Sequence, residues 1–152
     1  MALLQTLIIC AYVSLAVGGP WKQCIDVKMA ATISHVAVAG CAPGASICDL
    51  KRGTNASVTV TFTSTTEETK ATAEVKGLIA GVPVPFPLNN ADACKYKPSG
   101  IAPCPLKPTK QYVYTHQVEV KSLYPKIMVE VLWNLMGSSG SIFCFMLNAR
   151  IV

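Results

Sequence analysis

Between Asn55 and Thr63 the chain reads NASVTVTFT, which places Val58, Val60 and Phe62 on one face of an extended segment and Ser57, Thr59, Thr61 and Thr63 on the other. Side chains alternate across a strand, so this period of two predicts a sheet with one buried and one wet face. Ala71 to Ile79 repeats the pattern, with Ala71, Ala73 and Val75 opposite Thr72, Glu74 and Lys76. The polar STTEET between the two runs reads as a hairpin loop, which makes Glu67 and Glu68 turn residues and not a catalytic pair. Further strands are expected at Lys28 to Val38 and at Gln111 to Val120, where Tyr112, Tyr114, His116, Val118 and Val120 share a face. Two more follow at Lys126 to Met136, with Ile127, Val129, Val131, Trp133 and Leu135 aligned, and at Ser141 to Val152 beyond the flexible turn GSSG. Short strands, turn signals and no helical period predict an all-β chain, an antiparallel β-sandwich of immunoglobulin-like appearance. The immunoglobulin pattern proper is not met, because no central cysteine pair brackets a tryptophan.

The segment GVPVPFPLNN, Gly81 to Asn90, departs from the alternation. Proline fixes φ and has no N–H to give, so Pro83, Pro85 and Pro87 exclude the interior of a central strand and leave a loop or an edge. Val84 and Phe86 fill the gaps with apolar side chains. Such a stretch is either buried against the fold or lies beside an apolar ligand.

Composition narrows the class. MALLQTLIICAYVSLAVGG is an uncharged apolar run of signal-peptide length with Ala16 and Gly18 placed for cleavage, so residues 1–18 are expected to be a signal peptide and 19–152 one domain. Its apolar core is short for a membrane span, and Ile9 is too bulky for a lipoprotein signal ending at Cys10. Cleavage would leave Cys24, Cys41, Cys48, Cys94, Cys104 and Cys144, an even set that reads as three disulfides in an oxidising compartment, extracellular or endolysosomal. Their spacings do not suit zinc, and His35 and His116 stand apart from them, so no metal is expected. The net charge of +5 comes from scattered lysines, with Lys51 and Arg52 as the only adjacent basic pair. That distribution argues against nucleic acid and is compatible with a mild attraction to anionic lipid surfaces.

Catalytic chemistry finds little support. There is no G-x-S-x-G elbow and no phosphate-cradling glycine loop; His116 sits on a strand face among tyrosines, and the acidic residues are few and dispersed. No enzyme and no cofactor are expected, which leaves binding. Half of the chain is hydrophobic, 51% by count. Two sheets packed face to face can fill their core, or, if splayed, line a cavity with the same faces. Periodicity does not separate the two; a stiff proline loop that resists collapse favours a cavity mouth.

GVPVPFP, then ACKYKPSGIAPCPL, VKSLYP with a tryptophan eight residues past the proline, and IFCF together resemble the ML lipid-recognition family, in particular its Niemann-Pick type C2 or epididymal secretory branch. The ordered set of motifs runs from Cys24 to Ile151. The resemblance implies a two-sheet sandwich parted by an apolar cavity for a sterol, a long-chain fatty acid or another small lipid, carried and transferred without chemistry. It also implies the pairs Cys24–Cys144, Cys41–Cys48 and Cys94–Cys104, the latter two closing loops longer than in the mammalian carriers. Carried over by motif, Phe86, Val120 and Tyr124 are ligand contacts, with Val84 and Pro87 in the same stretch, Trp133 and Phe145 deeper, and Val38 and Leu50 as further wall positions. A secreted or endolysosomal monomer that touches membranes or a membrane lipid transporter is expected. Alternatives are an extracellular semiochemical carrier and an innate-immune module that binds microbial glycolipid with a receptor. Asn55-Ala56-Ser57 is a glycosylation sequon at a strand start.

Overall fold

The computed structural model describes residues 19–95 and 104–152; the expected signal peptide at 1–18 and residues 96–103 of the Cys94–Cys104 loop lie outside them. Nine strands follow in chain order: β1 (Trp21–Gln23), β2 (Ala31–Val38), β3 (Cys48–Leu50), β4 (Thr54–Ser64), β5 (Ala71–Ile79), β6 (Val82–Phe86), β7 (Gln111–Val120), β8 (Met128–Gly137) and β9 (Ser141–Ile151). No helix occurs among the described residues. One sheet runs β1-β9-β8-β5-β6, with β3 also beside β9, and the other runs β2-β4-β7. The long strands form where alternation predicts them. Two three-residue strands, β1 and β3, carry too little pattern to be read from the sequence, and β3 joins β9 in parallel, the exception in an otherwise antiparallel sandwich. Arg150 fastens that pair by gripping Asp49 with two hydrogen bonds of 2.8 and 2.9 Å.

The expected hairpin through STTEET is not formed. β4 pairs with β2 and β7, whereas β5 pairs with β6 and β8, so the segment between them crosses from one sheet to the other. Alternation gives the same signal for strands that are neighbours in a sheet and for strands that face each other across a core, since both turn their apolar side inward.

The crossing has a specific anchor. Glu68, 0% exposed, is far from a solvated turn residue. One carboxylate oxygen accepts from the Ser138 N–H at 2.6 Å, the Ser138 hydroxyl at 2.8 Å and the Ser139 N–H at 3.2 Å. The other accepts from the Thr66 hydroxyl at 2.9 Å and from the Ser139 hydroxyl. The GSSG turn between β8 and β9 is thereby built around a carboxylate from a different crossing, and its glycine is needed: a Cβ on Gly137 would collide with the Glu68 carboxylate and Ile142. Burial alone would raise the Glu68 pKa, but the hydrogen bonds from Ser139, Ser138 and Thr66 outweigh it and hold the value below the ordinary 4.5.

Across the core, inward side chains shrink from one end of the sandwich to the other. Along β4 they run Phe62, Val60, Val58, Ala56, and their register partners on β7 run Tyr112, Tyr114, His116, Val118. β9 goes from Phe143 and Phe145 to Leu147 and Ala149. The large end is filled by rings in contact, with Phe62 and Phe143 centroids 5.1 Å apart and Tyr114 and Phe143 5.9 Å apart. Disulfides Cys24–Cys144, Cys41–Cys48 and Cys94–Cys104 are all present, as the family resemblance implies. The first ties the segment after β1 to β9, and the other two close loops.

Glu68→Gln is expected to lower unfolding free energy in urea by about 2–3 kcal/mol at pH 7, because a neutral amide cannot accept at all five donors. The lowered carboxyl pKa adds stability that is present above the ordinary 4.5 and lost as pH falls through the folded value. The variant's stability curve is therefore expected to be flatter below pH 4.5, and an unchanged acid limb would contradict the assignment.

Candidate functional site

The small-residue end of the sandwich is not closed. Between the sheets lies a cavity of about 110 Å³ whose surface is apolar throughout. The three-stranded sheet contributes Val38, Ala56, Val58, Val118 and Val120 to its wall. The other sheet contributes Leu50, Val75, Gly77, Phe86, Val129, Val131, Trp133, Phe145, Leu147 and Ile151. Tyr124, on the loop from β7 to β8, completes it, with the exposed Lys76 and Glu119 at the rim. Small side chains create the space: Gly77 presents no side chain, and even a Cβ there would come within 3.1 Å of Val129.

Two aromatic rings of the wall are in contact. Phe86 ends β6 and meets Tyr124 edge to face, with centroids 5.9 Å apart. β6 pairs with β5 alone, so the proline segment is an edge strand, as the missing N–H groups require. Its apolar side chains are only partly sheltered, for Val82 is 62% and Val84 45% exposed. Deeper in, Trp133 and Phe145 stack almost parallel, 5° between planes at 6.3 Å, where the cavity gives way to the filled core.

Of the nine positions expected at a ligand, Val38, Leu50, Phe86, Val120, Tyr124, Trp133 and Phe145 are brought together around this cavity. Val84 and Pro87 are not in the wall; both are exposed. Val84 lies on the same face of β6 as Phe86, two positions earlier, but only Phe86, at the strand end, reaches the cavity. Sequence reading left out Ala56, Val58, Val75, Gly77, Val118, Val129, Val131, Leu147 and Ile151. Several of these stand on the inward faces that alternation marks, but alternation cannot distinguish a wall from a core. Asn55 is exposed at the start of β4, across the ladder from Glu119. No group of three metal-ligating side chains is found among the described residues.

His116 lies at the inner margin of the site, 1% exposed. Three elements face its imidazole: Tyr114 of its own strand at 6.1 Å, Trp133 of β8 at 5.8 Å, and the Asn89 backbone after β6, which hydrogen-bonds to it. Burial lowers its pKa from the ordinary 6.5, and the Asn89 bond offsets this only in part. Here it is a neutral packing residue between the sheets.

A family model described as ML domain matches residues 18–151. The chain belongs to the ML domain family. Among ML proteins, it is 44% identical over 106 residues to NPC intracellular cholesterol transporter 2 of Danio rerio, covering 69% of this chain and 68% of the relative. It is 37% identical over 121 residues to the ecdysteroid-regulated 16 kDa protein of Manduca sexta, 80% of this chain and 81% of the relative. The crystal structure of a Niemann-Pick type C2 protein from the Japanese carpenter ant superposes with a TM-score of 0.79 at 26% identity, over 87% of this chain and 98% of that one. The ML resemblance in the motifs thus extends to the whole sandwich and its two-sheet plan.

A lowered histidine pKa means that the fold prefers the neutral ring, so stability is full above pH 6.5 and declines as pH falls through the lower folded value. His116→Gln is expected to remove that decline, which sets in as pH falls below the ordinary 6.5, in urea unfolding. A slope identical to the parent's would show that His116 is not its source.

Proposed function

We propose that this protein is a lipid carrier that holds a sterol or a long-chain fatty acid between its sheets and hands it on unchanged. The observation that carries the reading is the apolar cavity between the sheets; in this reading Phe86 and Tyr124, which meet in its wall, are the two sides of its mouth. Membership of the ML family and the names of the NPC intracellular cholesterol transporter 2 relatives support it. Three disulfides favour a secreted or endolysosomal setting.

The magnitudes are consistent. An unfilled space of about 110 Å³ costs roughly 2–3 kcal/mol of folding stability at about 24 cal/mol per Å³. Burying roughly 400 Å² of apolar ligand at about 25 cal/mol per Å² contributes about 10 kcal/mol before ordering losses are deducted. Ligand pockets are commonly about 300 Å³ or larger, so a lipid must part the sheets as it enters, and the released contacts are replaced by its own. Nothing inside the wall offers a polar partner, so a hydroxyl or carboxylate stays at the rim near Lys76, Glu119 and Tyr124.

Transfer requires the mouth to meet the donor and acceptor. Around it stand Val82, Val84 and Leu123, the last 78% exposed, together with Lys76, Lys121 and Lys126. Apolar tips among cations suit brief docking on an anionic membrane, where the tips enter the interface and the lysines meet headgroups. A membrane lipid transporter is the alternative acceptor at the same mouth.

Two variants test the carrier. Phe86→Ala with Tyr124→Ala is expected to keep the fold and weaken binding of a fluorescent sterol or of cis-parinaric acid by about tenfold or more; undiminished affinity for both would place the mouth elsewhere. Ala56→Leu, which fills the space, is expected to raise stability by up to about 2 kcal/mol while reducing lipid uptake. Native mass spectrometry of protein from its own source checks the whole reading, and a lipid-free protein that displaces neither fluorescent ligand would refute it.

A further inference from the structure

Arg52 stands where the chain leaves β3 in one sheet and begins β4 in the other. Its backbone N–H donates to the Val152 carbonyl at 3.0 Å, at the end of the six-stranded sheet, and the next N–H, of Gly53, donates to Val120 at 2.6 Å in the three-stranded sheet. Gly53 has φ of 75°, a left-handed conformation that glycine adopts without a Cβ penalty. Two successive residues are thus bonded to opposite sheets. The second crossing at this end is the loop from β7 to β8, which carries Tyr124. Half-buried Arg52 reaches into it: one guanidinium nitrogen donates to the carbonyls of Ser122 at 3.3 Å and Tyr124 at 3.2 Å. Within the loop the Tyr124 N–H donates to the Lys121 carbonyl at 3.1 Å.

We infer that Arg52 is a positioning residue that braces the two crossings together and so holds Tyr124 as the fixed side of the mouth, leaving β6 with Phe86 as the side that moves. On the opposite jaw, β6 itself carries no side-chain hydrogen bond of this kind among the described residues; the bond of His116 to the Asn89 backbone lies beyond its end. β6 is five residues long, paired on one side only, and its three non-proline N–H groups are the only backbone donors it has. Its contact with Tyr124 is a single edge-to-face ring contact, weak enough to break and remake. A cation bonded to two carbonyls is harder to displace, because each charge-assisted bond must be replaced by water. This inference rests on the carrier reading for its purpose, but the bracing itself can be measured without a lipid.

The test compares Arg52→Met, which keeps the apolar stem and removes the donors, with Arg52→Lys, which keeps a charged donor. In ligand-free protein, amide hydrogen exchange at residues 121–125 is expected to be about five- to tenfold faster in Arg52→Met and to return toward the parent rate in Arg52→Lys. Uptake and release of cis-parinaric acid are expected to accelerate together by a similar factor, with affinity changed by less than about threefold. In the parent protein, loading with the same fatty acid is expected to alter exchange in Val82–Phe86 more than in 121–125. Parent-like exchange at 121–125 in Arg52→Met overturns the proposal, and so does faster exchange throughout both sheets with a lowered Tm, which marks a general structural role. So does a loading response confined to 121–125. If the parent binds no lipid, the carrier reading fails while the ligand-free exchange result still decides the role of Arg52.

Discussion

The fold depends on a mismatch in volume. Two sheets held face to face at a nearly constant separation need matched side-chain bulk along their whole length, and this chain supplies it only at one end. Rings and leucines close the half around Phe62, Phe143 and Tyr114, whereas Ala56, Gly77 and valines leave the other half unfilled. A sandwich can carry such a void because the filled half and the ladder bonds secure the sheets independently of it. The ligand's share of the core is in effect left out of the sequence.

What holds each end differs accordingly. At the filled end a single carboxylate, Glu68, gathers the turn of β8 and β9 and the crossing from β4 to β5 into one buried hydrogen-bonded knot. At the cavity end the two crossings run over the surface and are joined by an arginine and backbone bonds accessible to water. Buried, fully satisfied polar groups resist opening far more than half-exposed ones. The buried knot and the apolar cavity therefore lie at opposite ends of the same strands.

The strands were legible because their inward faces are apolar at strict period two, and β4 and β5 follow that rule residue by residue. Partnership was not legible for the same two strands: β4 and β5 look like a hairpin and belong to different sheets instead. Glu68 reads as polar and adjacent to Glu67, and nothing local marks it for burial, since its five donors come from Thr66 and from serines 70 and 71 positions onward. The cavity residues divide similarly. Phe86 and Tyr124 were reachable through their proline-flanked motifs, while Val118, Val129 and Leu147 carry the same alternation as any core position. Val84 shares the face of β6 that carries Phe86, but the cavity reaches only the last residue of the strand, which leaves Val84 in water. Arg52, one of a pair of basic residues in a turn, gives no sign in sequence of the two carbonyls it binds.

The prolines of β6 have a further consequence that concerns crowds of molecules and not one. Because Pro83 and Pro85 cannot donate, the bonds to β5 fall to Val82, Val84 and Phe86, and the outward-facing donor positions are the two prolines. An apolar edge strand beside a lipid mouth would otherwise be a template on which copies of the chain could stack strand to strand. With its outer row emptied of N–H groups, this edge can stay greasy enough to touch lipid without seeding a fibre.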